Sequence, residues 1–363
     1  MSDTLLTVND LSISFPMDEG ALEAVRSISF DIPRGRTLGL VGESGCGKSV
    51  TAHSLLRLLP KTAQIGGRSR LFVKDRPDVD LNTLDPSGDE IRDIRGRDIS
   101  IIFQEPMTSL SPLYTVGNQI VESILLHYSP DEQVAKDRAI EMLAKVGIPN
   151  APDRYINYPF ELSGGMRQRV MIAMALSASP ALLIADEPTT ALDVTIQAQV
   201  LDLMRELQQE IGMSILFITH DLGVVAEMCD EVAVMYLGRI VEKADVRSIF
   251  SRPRHPYTIG LLNSIPKLGQ ANAGSIVPIE GTVPVPINVP SRCSFAERCP
   301  FAMKGLCDTY DPPLVEVADG ESVACFLYEP VREAARAGVE PQPVGGGLSA
   351  APGSTDAKGG RDE

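Results

Sequence analysis

The sequence holds 363 residues, with 33 Lys and Arg against 48 Asp and Glu and a formal net charge of −15. At about 100–200 residues per domain, this length suggests two domains or one large domain with an appendage. The acidic balance argues against a nucleic-acid partner, whose phosphates need cations to displace their counterions, and against adhesion to anionic lipid by charge alone.

The longest unbroken apolar run, Val170 to Leu176, is seven residues, whereas a membrane-spanning helix needs about 20. The start, Met1-Ser2-Asp3, is acidic where a signal peptide would be basic. Neither a membrane span nor an export signal is expected.

Taken in order, Thr37 to Val41 reads as a buried strand running into a Gly-rich turn, followed by a helix-like run from Val50 to Leu59. Ile99 to Phe103, Ala181 to Ala185 and Ser214 to Ile218 read as further buried strands. Residues from about Val116 to Pro159 look mainly helical, an insertion between two strand groups. Ile196, Val200, Leu203, Leu207 and Ile211 recur at helical spacing and predict an amphipathic helix from Thr195 to Ile211. This alternation up to about residue 250 predicts an α/β domain on a largely parallel sheet, with a helical insertion at about 116–165. Residues 251–330 turn Pro-rich and hold four of the six cysteines, predicting a small C-terminal module. From Val331 to Glu363 no hydrophobic period is evident, and a disordered tail is expected.

Gly42-Glu43-Ser44-Gly45-Cys46-Gly47-Lys48-Ser49 matches G-x-x-x-x-G-K-[ST] between a strand and a helix, where a phosphate-binding loop needs it. The glycines let Gly42, Glu43, Ser44, Gly45, Cys46 and Gly47 turn their N–H groups around phosphate oxygens, and the helix end adds its positive pole. Lys48 is expected to reach the β- and γ-phosphates and the Ser49 hydroxyl to bind Mg²⁺. Asp186 and Glu187 stand at the carboxyl end of a buried strand. Asp186 is placed for the Mg²⁺ shell, and Glu187 for orienting or deprotonating the attacking water. The bland alternatives, an ordinary Gly-rich turn and an acidic turn, do not account for the two together.

Leu162-Ser163-Gly164-Gly165-Met166-Arg167-Gln168 opens a helix-like run from Met166 to Ser177, so Ser163, Gly164 and Gly165 form a second helix amino terminus. The segment resembles the signature motif of the ABC ATPases, with Met166 where Gln is commonest. Around it, Gln104 resembles the Q-loop glutamine, Ala191-Leu192-Asp193 the D-loop, His220 the switch histidine and Phe15 the aromatic that stacks on adenine. The resemblance implies an ABC-type nucleotide-binding domain that takes ATP and Mg²⁺. Ser49, Gln104 and Asp186 would lie around the metal, and Glu187, His220 and Gln104 would act in hydrolysis. Ser163 and its glycines would contact ATP held by a second ATPase subunit, and Asp193 would lie in the same interface.

Arg254-His255-Pro256-Tyr257-Thr258, Gln104-Glu105-Pro106-Met107-Thr108-Ser109-Leu110 and Tyr158-Pro159-Phe160-Glu161 resemble segments of the ATP-binding subunits of oligopeptide/dipeptide importers. Cys293, Cys299, Cys307 and Cys325 also match that family, and the absence of an export signal disfavours disulfides. Their spacings fit neither the common zinc ribbons nor the ferredoxins. The resemblance implies a [4Fe–4S] cluster, with Zn²⁺ or a small packed module of free thiols as alternatives. Cys46 and Cys229 are read as non-functional. The family further implies two transmembrane permease subunits, indirectly an extracytoplasmic solute-binding protein, no nucleic acid, and a place on the cytoplasmic face of the cell membrane. The solute is read as peptide, with oligosaccharide, nickel or opine as alternatives. A soluble ABC ATPase acting on nucleic acid or ribosomes is the competing class.

Overall fold

The computed structural model describes residues 3–74, 76–104, 109–190, 192–264 and 279–338. Glu105-Pro106-Met107-Thr108, Ala191 and the tail beyond 338 lie outside the described residues.

The chain begins with two long strands, β1 (Thr4–Met17) and β2 (Gly20–Pro33), then β3 (Thr37–Val41) and helix α1 (Lys48–Leu55). Next come β4 (Gln64–Leu71), β5 (Val79–Asp80), α2 (Asp89–Ile94) and β6 (Ile99–Ile102). Helices α3 (Val116–His127), α4 (Glu132–Lys145), α5 (Ala151–Tyr155) and α6 (Gly164–Leu176) follow. The chain then alternates through β7 (Leu182–Asp186), α7 (Val194–Ile211), β8 (Ser214–Thr219), α8 (Leu222–Met228), β9 (Glu231–Tyr236) and β10 (Arg239–Asp245). Helices α9 (Val246–Ser251) and α10 (Pro256–Asn263), strands β11 (Val315–Ala318) and β12 (Glu321–Val323), and helix α11 (Glu329–Gly338) complete it.

Two sheets form. An antiparallel sheet has the order β2-β1-β4-β5, and a mixed sheet the order β11-β12-β10-β9-β3-β8-β7-β6. The run from β9 to β6 is parallel, as the buried strands predict. The antiparallel sheet was not expected: β1 and β2 are bulged, and their burial pattern departs from strict alternation, so period-2 reading misses them.

The parallel strands are apolar throughout because both faces are covered. Leu182, Ile184, Leu216 and Ile218 point into one core, shared with the antiparallel sheet and α1. Leu183, Ala185, Ile215 and Phe217 point into the other, shared with the helices from α3 to α8. Successive strand residues face opposite sides, so one sheet serves both layers.

The C-terminal segment is joined to the main sheet by strand pairing. Strand β12 pairs antiparallel with β10, and β11 with β12, extending the main sheet. Val331, expected in the tail, lies instead in α11 and is buried against Phe326, Val323, Cys307 and Cys325, with Ala335 packed beside them. Val331 and Ala335 are one helical turn apart; the Gly-rich composition further on hid that short period.

The Arg254-His255-Pro256 segment is fastened by charge and capping. The buried carboxylate of Glu242 on β10 accepts from the N–H groups of Arg254 (2.7 Å) and His255 (2.8 Å). His255 caps α10, its Nδ1 accepting from Tyr257 N–H at 3.0 Å, with Pro256 in the first turn. Arg254 Nε reaches Glu321 on β12 at 2.7 Å.

Complete burial lowers the His255 pKa from 6.5 to about 3. The unfolded chain therefore binds the extra proton between these values, and stability falls as pH drops through that window, by at most about 1.4 kcal/mol per pH unit. His255→Asn, which retains a capping side chain, should show a shallower loss of stability than the wild type between pH 6.5 and 4 in denaturant titrations.

Candidate functional site

Four parallel strands deliver the candidate residues to one edge. In the sheet register, Val41 lies opposite Thr219, Ile218 opposite Asp186, and Ala185 opposite Ile102. Gly42, His220, Glu187 and Gln104 follow these strand ends, at the carboxyl edge where open α/β sheets bind ligands.

Gly42 to Ser49 wrap the start of α1. Gly47 precedes the helix at φ 104°, with no side-chain cap and no acidic residue in the first turn. The end of α1 therefore presents N–H groups suited to an anion. An added Cβ at Gly47 would stand 2.2 Å from the Ala24 carbonyl oxygen, whereas one at Gly45, at φ 81°, would meet nothing within 4 Å. The Lys48 ammonium is buried and donates to the carbonyls of Gly42 (2.8 Å) and Glu43 (3.0 Å). Cys46 is buried below it, its Sγ 3.7 Å from Nζ.

The Ser49 hydroxyl donates to Asp186 Oδ1 at 3.1 Å. Burial raises the Asp186 pKa, opposed by Ser49, His53 and Lys48. A serine hydroxyl and a desolvated carboxylate are hard oxygen donors, a set that fits Mg²⁺ completed by water and phosphate oxygens.

Glu187 is the centre of a second cluster, itself at φ 49°. Its carboxylate accepts from Gln104 Nε2 (3.0 Å) and Thr190 Oγ1 (2.9 Å), and pairs with His220 Nδ1 (3.1 Å). Burial opposes its ionisation, but the hydrogen bonds from His220 and Thr190 together hold its pKa below the usual carboxylate value. The side chain is therefore ionised at neutral pH. Gln104, Glu187 and His220 thus meet in three dimensions although 83 and 33 positions separate the pairs.

The remaining candidates lie elsewhere. Ser163 caps α6, its hydroxyl accepting from Met166 N–H at 3.4 Å, and Ser163 and Gly164 face solvent beside the half-buried Gly165. Asp193 is exposed and caps α7, accepting from Ile196 N–H at 3.0 Å. Phe15 lies half-buried on β1, packed against the core shared with the antiparallel sheet. Sequence reasoning missed Thr190, His53 beside Asp186 and the buried Gln168, whose amide donates to the Pro188 carbonyl. The Glu-Pro-Thr-Thr run after Asp186 was the available signal for Thr190. Nothing local marks Gln168.

Cys293, Cys299, Cys307 and Cys325 gather at the C-terminal end, Cys293 N–H donating to the Cys307 carbonyl at 3.2 Å. Burial, with the neighbouring thiols, pushes Cys293 up to about 12 and Cys325 to about 11, and raises Cys299. Among the described residues, no group of three or more His, Cys, Asp or Glu side chains is arranged to hold a metal ion. The expected [4Fe–4S] cluster or Zn²⁺ site therefore finds no support in this geometry. What the structure shows is thiols packed with Phe326, Val323 and Val331 in a small apolar core. Cys229 is buried, and its pKa is pushed up to about 12 by burial.

Residues 25–190 match the ABC transporter domain, and residues 241–307 match the C-terminal region of oligopeptide/dipeptide transporters. A probable peptide ABC transporter ATP-binding protein, y4tR of Sinorhizobium fredii, is 51% identical over 90% of this chain and 95% of its own length. The oligopeptide transport ATP-binding protein OppD of Bacillus subtilis is 48% identical over 90% of this chain and 89% of its own. Among solved structures, the ATP-binding cassette MJ0796, a dimer bound to ADP and Pi, aligns with TM-score 0.58 and 26% identity, covering 67% of this chain and 99% of that one. The fold and site define an ABC ATPase. The chain belongs to the ATP-binding proteins of the oligopeptide/dipeptide class of ABC transporters.

The contrast between the glycines gives a direct check on the loop. Gly45→Ala should cost about 1–2 kcal/mol for its left-handed backbone and retain nucleotide binding. Gly47→Ala, forced against the Ala24 carbonyl, should abolish detectable binding of a fluorescent ATP analogue.

Proposed function

We propose that this chain binds and hydrolyses ATP as one half of an ATPase pair that drives peptide import through a membrane-embedded permease. The observation that carries the hydrolytic part is the convergence of Gln104, Thr190 and His220 on Glu187, beside the Ser49–Asp186 pair and the Lys48 loop. Lys48 and the amides from Gly42 to Ser49 hold the phosphates. Ser49, Asp186 and the Gln104 amide oxygen would hold Mg²⁺, which neutralises charge on the β- and γ-phosphates when bound. Ionised Glu187 orients a water molecule for in-line attack and accepts its proton as the bond forms. His220, on the other oxygen of that carboxylate, fixes its direction.

Ser163, Gly164 and Gly165 are solvent-facing or half-buried at a helix amino terminus, as a contact with phosphate held by a second subunit requires. Asp193 is exposed for the same interface, and Phe15 is the aromatic offered to adenine. The family implies an identical or related ATPase as partner, two permease subunits, and indirectly an extracytoplasmic solute-binding protein. Among the described residues no helix is long and apolar enough to cross a membrane, so a place at the cytoplasmic face of the cell membrane rests on docking to the permease. Peptide is the favoured solute because y4tR and OppD are both described as peptide or oligopeptide transport proteins. No step of this reading uses a cluster or zinc at the cysteines.

Glu187→Gln should bind Mg²⁺-ATP with near wild-type affinity and lose about 10²- to 10⁴-fold in hydrolysis, the range for removing a general base. Phosphate release at the wild-type rate would sink the assignment. In cells, the same substitution should abolish uptake of labelled peptide; unchanged uptake alongside loss of another solute would redirect the substrate.

A further inference from the structure

The phosphate-binding loop is gripped by residues far along the chain from it. Arg298, on the short turn that carries Cys299, places its guanidinium across the Glu43 carboxylate in a two-pronged pair, at 2.8 Å and 3.2 Å. The Arg298 side chain is only 7% exposed, and its remaining donors are used. Nε reaches the Glu280 carbonyl at 2.9 Å and Nη2 the Gly281 carbonyl at 3.2 Å, and the group lies 5.7 Å from the Tyr236 ring centroid. A second hold comes from α10: Glu43 N–H donates to the Tyr257 hydroxyl at 2.9 Å. Tyr257 is fully buried and packs with Tyr236 and Phe295, ring centroids 4.7 Å and 5.5 Å away.

Both main-chain and side-chain groups of Glu43 are thus fixed by residues 257 and 298, on C-terminal segments far along the chain from the loop. Glu43 also supplies one of the two carbonyls that hold Lys48. We propose that Arg298 and Tyr257 are positioning residues of the nucleotide site, through which the C-terminal segment sets the shape of the Gly42–Ser49 loop. This rests on the ATP-binding reading above and extends it. A planar, bidentate and buried arginine fixes the direction of the carboxylate as well as its charge, which lysine cannot do. The loop meets ATP with Lys48 and its amides already aligned, and loosening the grip costs affinity without touching Glu187.

The test is equilibrium binding of a fluorescent ATP analogue with Mg²⁺ to the full chain, with the thermal midpoint of each apo variant measured in parallel. Arg298→Ala should raise Kd about 10-fold, as expected for a lost charge-assisted bond that orders a loop. Arg298→Lys should recover only part of this. Adding Glu43→Ala to Arg298→Ala should raise Kd little further than Arg298→Ala alone, because both substitutions remove the same pair. In hydrolysis the loss should fall on KM, with kcat within about twofold of wild type. Should Arg298→Ala fail to fold, Tyr257→Phe removes one hydroxyl and should raise Kd about threefold on the same reasoning. Wild-type Kd in folded variants overturns the proposal, as does a double variant in which the two losses simply add. A wild-type chain that binds no analogue instead overturns the ATP reading.

Discussion

Everything at this site depends on parallel pairing. Strands β3, β8, β7 and β6 run in one direction, so their carboxyl ends share one edge and four separate loops meet there. An antiparallel arrangement of the same strands would send alternate loops to opposite edges. The burial of these strands on both faces fixes their register, because every residue is committed to one of two cores. Precision at the phosphate-binding end is therefore inherited from apolar packing several residues away.

The chemistry uses contrasting environments a few residues apart. Asp186 is buried at the strand end, and that burial raises its pKa. Its neighbour Glu187 leaves the strand in a left-handed conformation and meets three donors, of which His220 and Thr190 lower its pKa against the effect of burial. Adjacent carboxylates thereby stand in contrasting environments because the chain turns between them, as the separate roles proposed for them, one for the metal and one for water, require.

The parallel half of the fold was legible because each strand is a short, wholly apolar run bounded by turn residues, and because Lys48, Asp186 and their surroundings follow a spacing that phosphate chemistry dictates. The antiparallel sheet was hidden by bulges in β1 and β2. Position 331 read as tail because composition was averaged over a long Gly-rich stretch, while Val331 and Ala335 mark a turn of helix. The family resemblance implied a metal at the cysteines, yet no metal-holding group forms among the described side chains, and Cys293, Cys307 and Cys325 pack in an apolar cluster. Gln168, Tyr257 and Arg298 act across long sequence separations or through backbone groups, and no local pattern announces such contacts. The C-terminal segment consequently reads differently in three dimensions: it extends the main sheet and reaches back to the phosphate loop.

Amide hydrogen exchange of the full chain, with and without Mg²⁺-ATP, tests most directly whether the strand ends form one nucleotide site. The account predicts slowed exchange at Gly42–Ser49, around Gln104, at Asp186–Thr190 and at His220. Protection confined to the antiparallel sheet or the C-terminal strands, with these four loops unchanged, would contradict it.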